Sequence, residues 1–120
     1  MTDHEETLRR LSVRDDAYVD ALLADVQANE AASRLDGKTH ALVRVAALVA
    51  VDAAPPSYME AISSAQRWRA SREEIVGCLI AVLPTVGIAR VVSAAPKVGL
   101  ALGYDVDAAL ESHATADPDR

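Results

Sequence analysis

The chain of 120 residues predicts an all-α fold, a compact helical bundle. Three observations carry that expectation. No segment alternates polar and apolar residues with a period of two, and no Asn-Gly or Asp-Gly pair separates two apolar runs as a hairpin would; Asp36-Gly37 precedes a helical pattern instead. The apolar side chains are mostly Ala, Val and Leu, with no Phe, one Trp and three Tyr, which suits closely packed helices better than a β-sandwich. Around Ser71 the sequence spells a helix start. Ser71 has N-cap chemistry, and Glu74 stands three residues on, where its carboxylate can reach back to the Ser71 N–H. Ile75, Cys78, Leu79 and Val82 then fall on one helical face.

Each element follows from local pattern. Residues 1–15 form a polar N-terminal arm, either a short helix that orders against a neighbour or a disordered lead, with Leu8, Leu11 and Val13 as its only sizeable apolar groups. From Asp16 to about Ser33, the spacing of Val19, Leu22, Leu23 and Val26 predicts a first amphipathic helix, capped by Asp15 or Asp16. Asp36 caps a second helix, Lys38–Val51, in which His40 and Arg44 form a short polar stripe that continues as Ala47, Leu48 and Val51, so that the helix turns apolar all round towards its C-terminal end. Such a helix must be covered on more than one side, and in so short a chain a neighbouring subunit is the expected cover. Pro55-Pro56 ends that run and can open the next, since proline is tolerated in a first turn. The third helix, Ser57–Arg69, places Met59, Ile62 and Ala65 or Gln66 on one face, with Tyr58, Ala61 and Ala65 beside it. The fourth starts at Ser71 and ends or kinks near Pro84. Thr85–Gly103 is one kinked helix or two short ones around Pro96, with Gly103 as its cap. The helical domain therefore spans residues 16–104, and residues 105–120 read as a polar tail with a turn or two of helix at its start.

Composition bounds the function. An apolar share of 51% with 25% charged residues argues for one folded domain and against disorder. A net charge of -6, with no basic stripe interleaved with aromatics, argues against nucleic acid or an anionic membrane surface as partner. The single cysteine, Cys78, allows no internal disulfide and reads as a small buried hydrophobe. His4, His40 and His113 are too scattered for a metal motif, so no metal and no cofactor is expected. The acidic N-terminus lacks the apolar core of a signal peptide, and the longest near-continuous apolar run, Ala41–Val51, is about half a membrane span. A soluble cytoplasmic protein is expected.

Leu35-Asp36-Gly37-Lys38-Thr39, an Ala/Val-rich helix, a short break, a further helix and then Ala70-Ser71-Arg72-Glu73-Glu74-Ile75 together resemble the carboxymuconolactone decarboxylase family, which includes the alkylhydroperoxidase D-like proteins. The resemblance covers roughly residues 35–103. It implies an alkylhydroperoxidase D-like helical bundle assembled as trimers or hexamers. Redox members of that family carry a Cys-x-x-Cys pair at the start of the third helix, a His after three intervening residues and an upstream Glu. Counted forward from Lys38-Thr39 these positions hold Ala53, Pro56, Glu60 and Ala41; counted back from Ser71, the first three hold Ala54, Ser57 and Ala61. Neither register supplies a thiol, and a thiol peroxidase needs two. The His positions of the decarboxylases read Ala61 and Ala81, while Gly87 matches the family glycine after the fourth helix.

The implied pocket lies at the start of the third helix. There Glu60 is the candidate acid or base, and Arg44, Ser57, Tyr58 and Thr85 are candidates for holding a small acid. Each has a plain alternative: Glu60 and Arg44 as surface charges, Ser57 as a helix cap, Thr85 as a partner for a broken helix end. Two functions follow. The first is a decarboxylase-like enzyme acting on a small unsaturated or lactone acid without thiol chemistry. The second is a non-catalytic homo-oligomer that binds a small molecule or serves structurally.

Overall fold

The computed structural model describes residues 2–116, with side chains to His113, and every regular element among them is a helix. The chain divides into two units, Met1–Asp36 and Gly37–Arg120.

The first unit holds α1 (Asp3–Ser12), α2 (Asp16–Ala24) and α3 (Val26–Ser33). The expected arm is helical because its ends are locally specified. Thr2 and Glu5 form a capping box, and Glu6 is clamped by Arg9 at 2.7 Å and Arg10 at 3.1 Å one turn on. Those two guanidiniums hold the Glu6 carboxyl down at about 2. At the other end Arg14 takes a left-handed conformation (φ 52°), so that Asp15 N–H returns to Arg10 O and Arg14 N–H to Leu11 O. Asp15 then caps α2 by accepting from Tyr18 N–H at 3.3 Å. The single helix expected from Asp16 to Ser33 is broken at Asp25. That residue is extended (φ −137°, ψ 113°), and its carboxylate accepts from Gln27 N–H at 2.9 Å, starting a new helix. No residue of α1, α2 or α3 is buried.

The second unit holds α4 (Gly37–Ala50), α5 (Pro55–Arg67), α6 (Arg72–Val86), α7 (Ile88–Ala101) and α8 (Val106–Ala116). Pro55 and Pro56 occupy the first turn of α5 rather than preceding it. A short turn joins α4 to α5, with Asp52 left-handed at φ 54° and Ala53 N–H returning to Leu48 O. The pair runs antiparallel, for Gly37 at the start of α4 meets Trp68 at the end of α5. A Cβ on Gly37 would stand 2.2 Å from the indole ring. The absence of a side chain at Gly37 is what lets these ends close. Val45 and Val49 of α4, Tyr58 and Ile62 of α5, Ile75 of α6 and Val98 of α7 are the largest fully buried side chains. Period-3.6 apolar spacing on each helix delivers them to one core.

The capping box at Ser71 is present in both directions: Glu74 N–H to Ser71 Oγ at 3.0 Å and Ser71 N–H to Glu74 Oε1 at 2.9 Å. Glu74 also pairs with Lys38 at 2.9 Å, tying the starts of α4 and α6 together. Both the Ser71 N–H and Lys38 lower the Glu74 carboxyl below its ordinary value.

Several expected boundaries differ. α6 runs through Pro84 to Val86 and stops at Gly87, whose backbone (φ 87°, ψ 163°) is open almost only to glycine. Of the two alternatives for the next stretch, the structure has the single helix: α7 starts at Ile88 rather than Thr85, runs across Pro96 and ends in the expected Gly103, left-handed, with Tyr104 N–H on Gly99 O at 2.8 Å. The expected polar tail is helical over Val106–Ala116, opened by Asp105 accepting from Ala108 N–H, and residues 117–120 lie outside the described chain. The inner face of α5 is Tyr58, Ala61, Ile62 and Ala65, which leaves Met59 more than half exposed.

Candidate functional site

Because α4 and α5 are antiparallel, the middle of one faces the middle of the other. Arg44 lies two turns into α4 and Glu60 one turn into α5, and they meet: Arg44 Nη2 stands 2.5 Å from Glu60 Oε2. Around this pair Ala47, Leu48, Pro56, Ser57 and Ala61 line an open groove of about 520 Å³. Its walls are small and apolar, and its polar groups are one guanidinium, one carboxylate and one hydroxyl. That composition is normal for a small-ligand site.

The two charges are unequal in setting. The Glu60 side chain is 57% exposed and Arg44 26%. An ion pair so open to water is worth at most about 1 kcal/mol, so Glu60 can leave Arg44 cheaply. Arg44 Nη1, by contrast, is buried and has no hydrogen-bond partner. A guanidinium presents its donors as a planar fork, and one side of this fork is free.

Three of the five residues singled out in the sequence, Arg44, Ser57 and Glu60, line the groove. Tyr58 and Thr85 do not. Tyr58 is fully buried, two helical positions and so about 200° of turn from Glu60, and its hydroxyl has no partner. Burial, aided by the Asp52 carboxylate, pushes its phenol up from the ordinary value. Thr85 is exposed in the last turn of α6. Cys78 is partly buried, its Sγ 3.5 Å from Glu74 O and 3.7 Å from Leu42 O, and burial pushes its thiol up. A thiol so placed is a poor nucleophile.

A second polar cluster was not anticipated. The Asp52 carboxylate accepts from Ser93 Oγ at 2.6 Å and Lys97 Nζ at 3.3 Å, and Arg90 lies 3.4 Å away. Lys97 also donates to Ala53 O at 2.8 Å. Ser93 foremost, with Lys97 and Arg90, draws the Asp52 carboxyl below its usual range. The cluster fastens the α4–α5 turn to α7 and so fixes the end of the groove formed by Pro56 and Ser57. Its one sequence signal is the four-residue spacing of Ser93 and Lys97, which puts both on one face of α7.

Among the described residues no group of three or more His, Cys, Asp or Glu could hold a metal ion. Nor is any described helix long and apolar enough to cross a membrane. No protein-family model matches this chain, and no curated protein and no solved structure is significantly similar to it.

Proposed function

We propose that this chain is a carboxymuconolactone decarboxylase-like protein that binds a small unsaturated or lactone acid in the α4–α5 groove and works as a homo-oligomer. The observation that carries this reading is the unpartnered, buried Nη1 of Arg44 beside an easily displaced Glu60. A buried donor left unsatisfied costs about 1–3 kcal/mol. A carboxylate placed across the guanidinium fork satisfies it with a charge-assisted bond. The apolar body of such an acid would lie on Ala47, Leu48, Pro56 and Ala61, with Ser57 within reach of a ring or chain oxygen.

Binding without turnover is the better reading of this geometry. A general acid needs a carboxyl that keeps its proton near neutral pH, which calls for burial or a neighbouring negative charge. Glu60 has an exposed side chain and a guanidinium against it. A carboxy-lyase reading rests on one fact: once a ligand takes Arg44, Glu60 is the carboxylate left at the groove edge. The exposed surface of α4 beyond Thr39, which apart from Arg44 is apolar, supports the oligomer.

Thermal denaturation in the presence of small unsaturated and lactone acids, run against their methyl esters, tests the reading. The acids raise the midpoint and the esters do not, while Glu60→Gln retains binding and no acid is consumed. Equal shifts with acids and esters would overturn carboxylate recognition. Consumption of an acid that stops in Glu60→Gln would establish the lyase reading instead.

A further inference from the structure

The α4–α5 groove has two chemically different ends. Arg44 and Leu48 stand four residues apart on one face of α4, and Ser57 and Glu60 three apart on one face of α5. Because the helices are antiparallel and Arg44 meets Glu60, Leu48 lies towards Pro56 and Ser57 at the other end. The two ends are separated by about 6 Å of helix rise. An acid whose carboxylate takes the buried Nη1 of Arg44 therefore places the rest of a short body against the second end.

That second end is the start of α5, and the start of a helix ordinarily attracts anions through its open N–H groups and its dipole. Here the donors are missing. Pro55 and Pro56 fill the first two positions and have no N–H, and the Ser57 N–H is bonded to Ala54 O at 3.1 Å. Arg90 and Lys97 are held by Asp52, Lys97 also by Ala53 O, and neither lines the groove. Among the described residues that line it, Arg44 is the sole cation. The second end thus offers one hydroxyl, Ser57, between Leu48 and Pro56, with the Glu60 carboxylate one turn along the same face. A hydroxyl there can donate to an uncharged oxygen. It cannot compensate a second carboxylate for its lost water, and Glu60 repels one.

We infer that the groove selects monocarboxylic acids whose far end is uncharged, a hydrocarbon or an ester or lactone oxygen facing Ser57, and rejects dicarboxylic acids. Glu60 is the residue that sets this preference. The empty groove is neutral, with Arg44 against Glu60. A monocarboxylate that takes Arg44 leaves one excess negative charge, on the exposed Glu60, where water screens it. A dicarboxylate leaves two, and the second has neither a cation nor a helix N–H to meet it. This inference rests on the α4–α5 binding reading above and adds which acids the groove accepts and which residue decides.

Calorimetric titration of the full chain with two matched pairs tests it: crotonate against fumarate, and cinnamate against para-carboxycinnamate. Within each pair the unsaturated body is the same and only the second carboxylate is added. The monocarboxylate binds more tightly than its partner by roughly tenfold or more. Glu60→Gln narrows that preference, and so does added salt, because the Glu60 charge is open to solvent. Dicarboxylates bound as tightly as their partners, with binding lost in Arg44→Gln, would overturn the selectivity and leave the binding reading standing. A preference unchanged by Glu60→Gln would overturn the assignment to Glu60. Saturable binding of none of the four acids would overturn the binding reading and the selectivity with it.

Discussion

Tyr58→Phe is predicted to stabilise the protein. Tyr58 is fully buried and its hydroxyl has no hydrogen-bond partner. In the unfolded chain that hydroxyl is hydrated, so folding strips its water without replacement, at a cost of about 1–3 kcal/mol. Removing the oxygen leaves a void of roughly 10–15 Å³, which at about 24 cal/mol per Å³ costs only about 0.3 kcal/mol. The ring keeps its contacts, and relief wins by about 1–2 kcal/mol. Urea unfolding followed by Trp68 fluorescence and circular dichroism measures it, with the expected rise in midpoint at unchanged slope. Alkaline pH supplies an independent check. Burial raises the phenol, so the folded state holds this proton more tightly than the unfolded state. Stability therefore falls as pH rises above the ordinary phenol value of about 10, and the Phe variant lacks that slope. A variant destabilised by 1 kcal/mol or more would show that the hydroxyl is satisfied in the fold and refute the reasoning.

Three further outcomes follow from packing, capping and charge. Gly37→Ala places a methyl 2.2 Å from the Trp68 ring; overpacking of about 1–3 kcal/mol exceeds the roughly 0.5–1 kcal/mol that alanine gains in a helix, so stability falls and Trp68 emission moves to the red as the ring is displaced. Ser71→Ala removes the acceptor for Glu74 N–H and costs about 1 kcal/mol in urea unfolding, whereas Ser71→Thr retains most of it. The Asp52 carboxyl is lowered in the folded state, so its contribution is present above the unfolded carboxyl value and is lost as pH falls through the folded one. Asp52→Asn should accordingly be less stable than wild type at neutral pH and converge with it in acid, as read by thermal midpoints across the acidic range.

How much of this was legible in the sequence depended on how local each determinant is. The Ser71–Glu74 box is a contact between residues three apart, and it could be read directly. The Asp25 break could not, because Val26 continues the apolar spacing of Val19, Leu22 and Leu23 across it, and only the Asp25 backbone departs from helix. Pro84 and Pro96 each left a continuous helix and a break open, and the structure continues the helix through both, with Gly87 marking the joint between α6 and α7. On α5 the apolar residues are dense enough to support two faces. One position of helix turns by about 100°, and that step exchanges Met59 for Tyr58 in the core and removes Tyr58 from the candidate site. Arg44, Ser57 and Glu60 were each singled out for one pocket, but that Arg44 would neutralise Glu60 depends on the antiparallel register of α4 and α5. That register is set by Gly37 against Trp68, which no local pattern announces. The Asp52–Ser93–Lys97 cluster joins residues more than forty apart, and for the same reason it went unread.

Calorimetric titration of the full chain with a small unsaturated acid, for wild type, Arg44→Gln and Tyr58→Phe side by side, tests the central claim most directly. The account predicts saturable binding to wild type and Tyr58→Phe, and its loss in Arg44→Gln, because the free side of the Arg44 fork is the recognition group and the Tyr58 hydroxyl is sealed in the core. Undiminished binding in Arg44→Gln, or a loss confined to Tyr58→Phe, would contradict it.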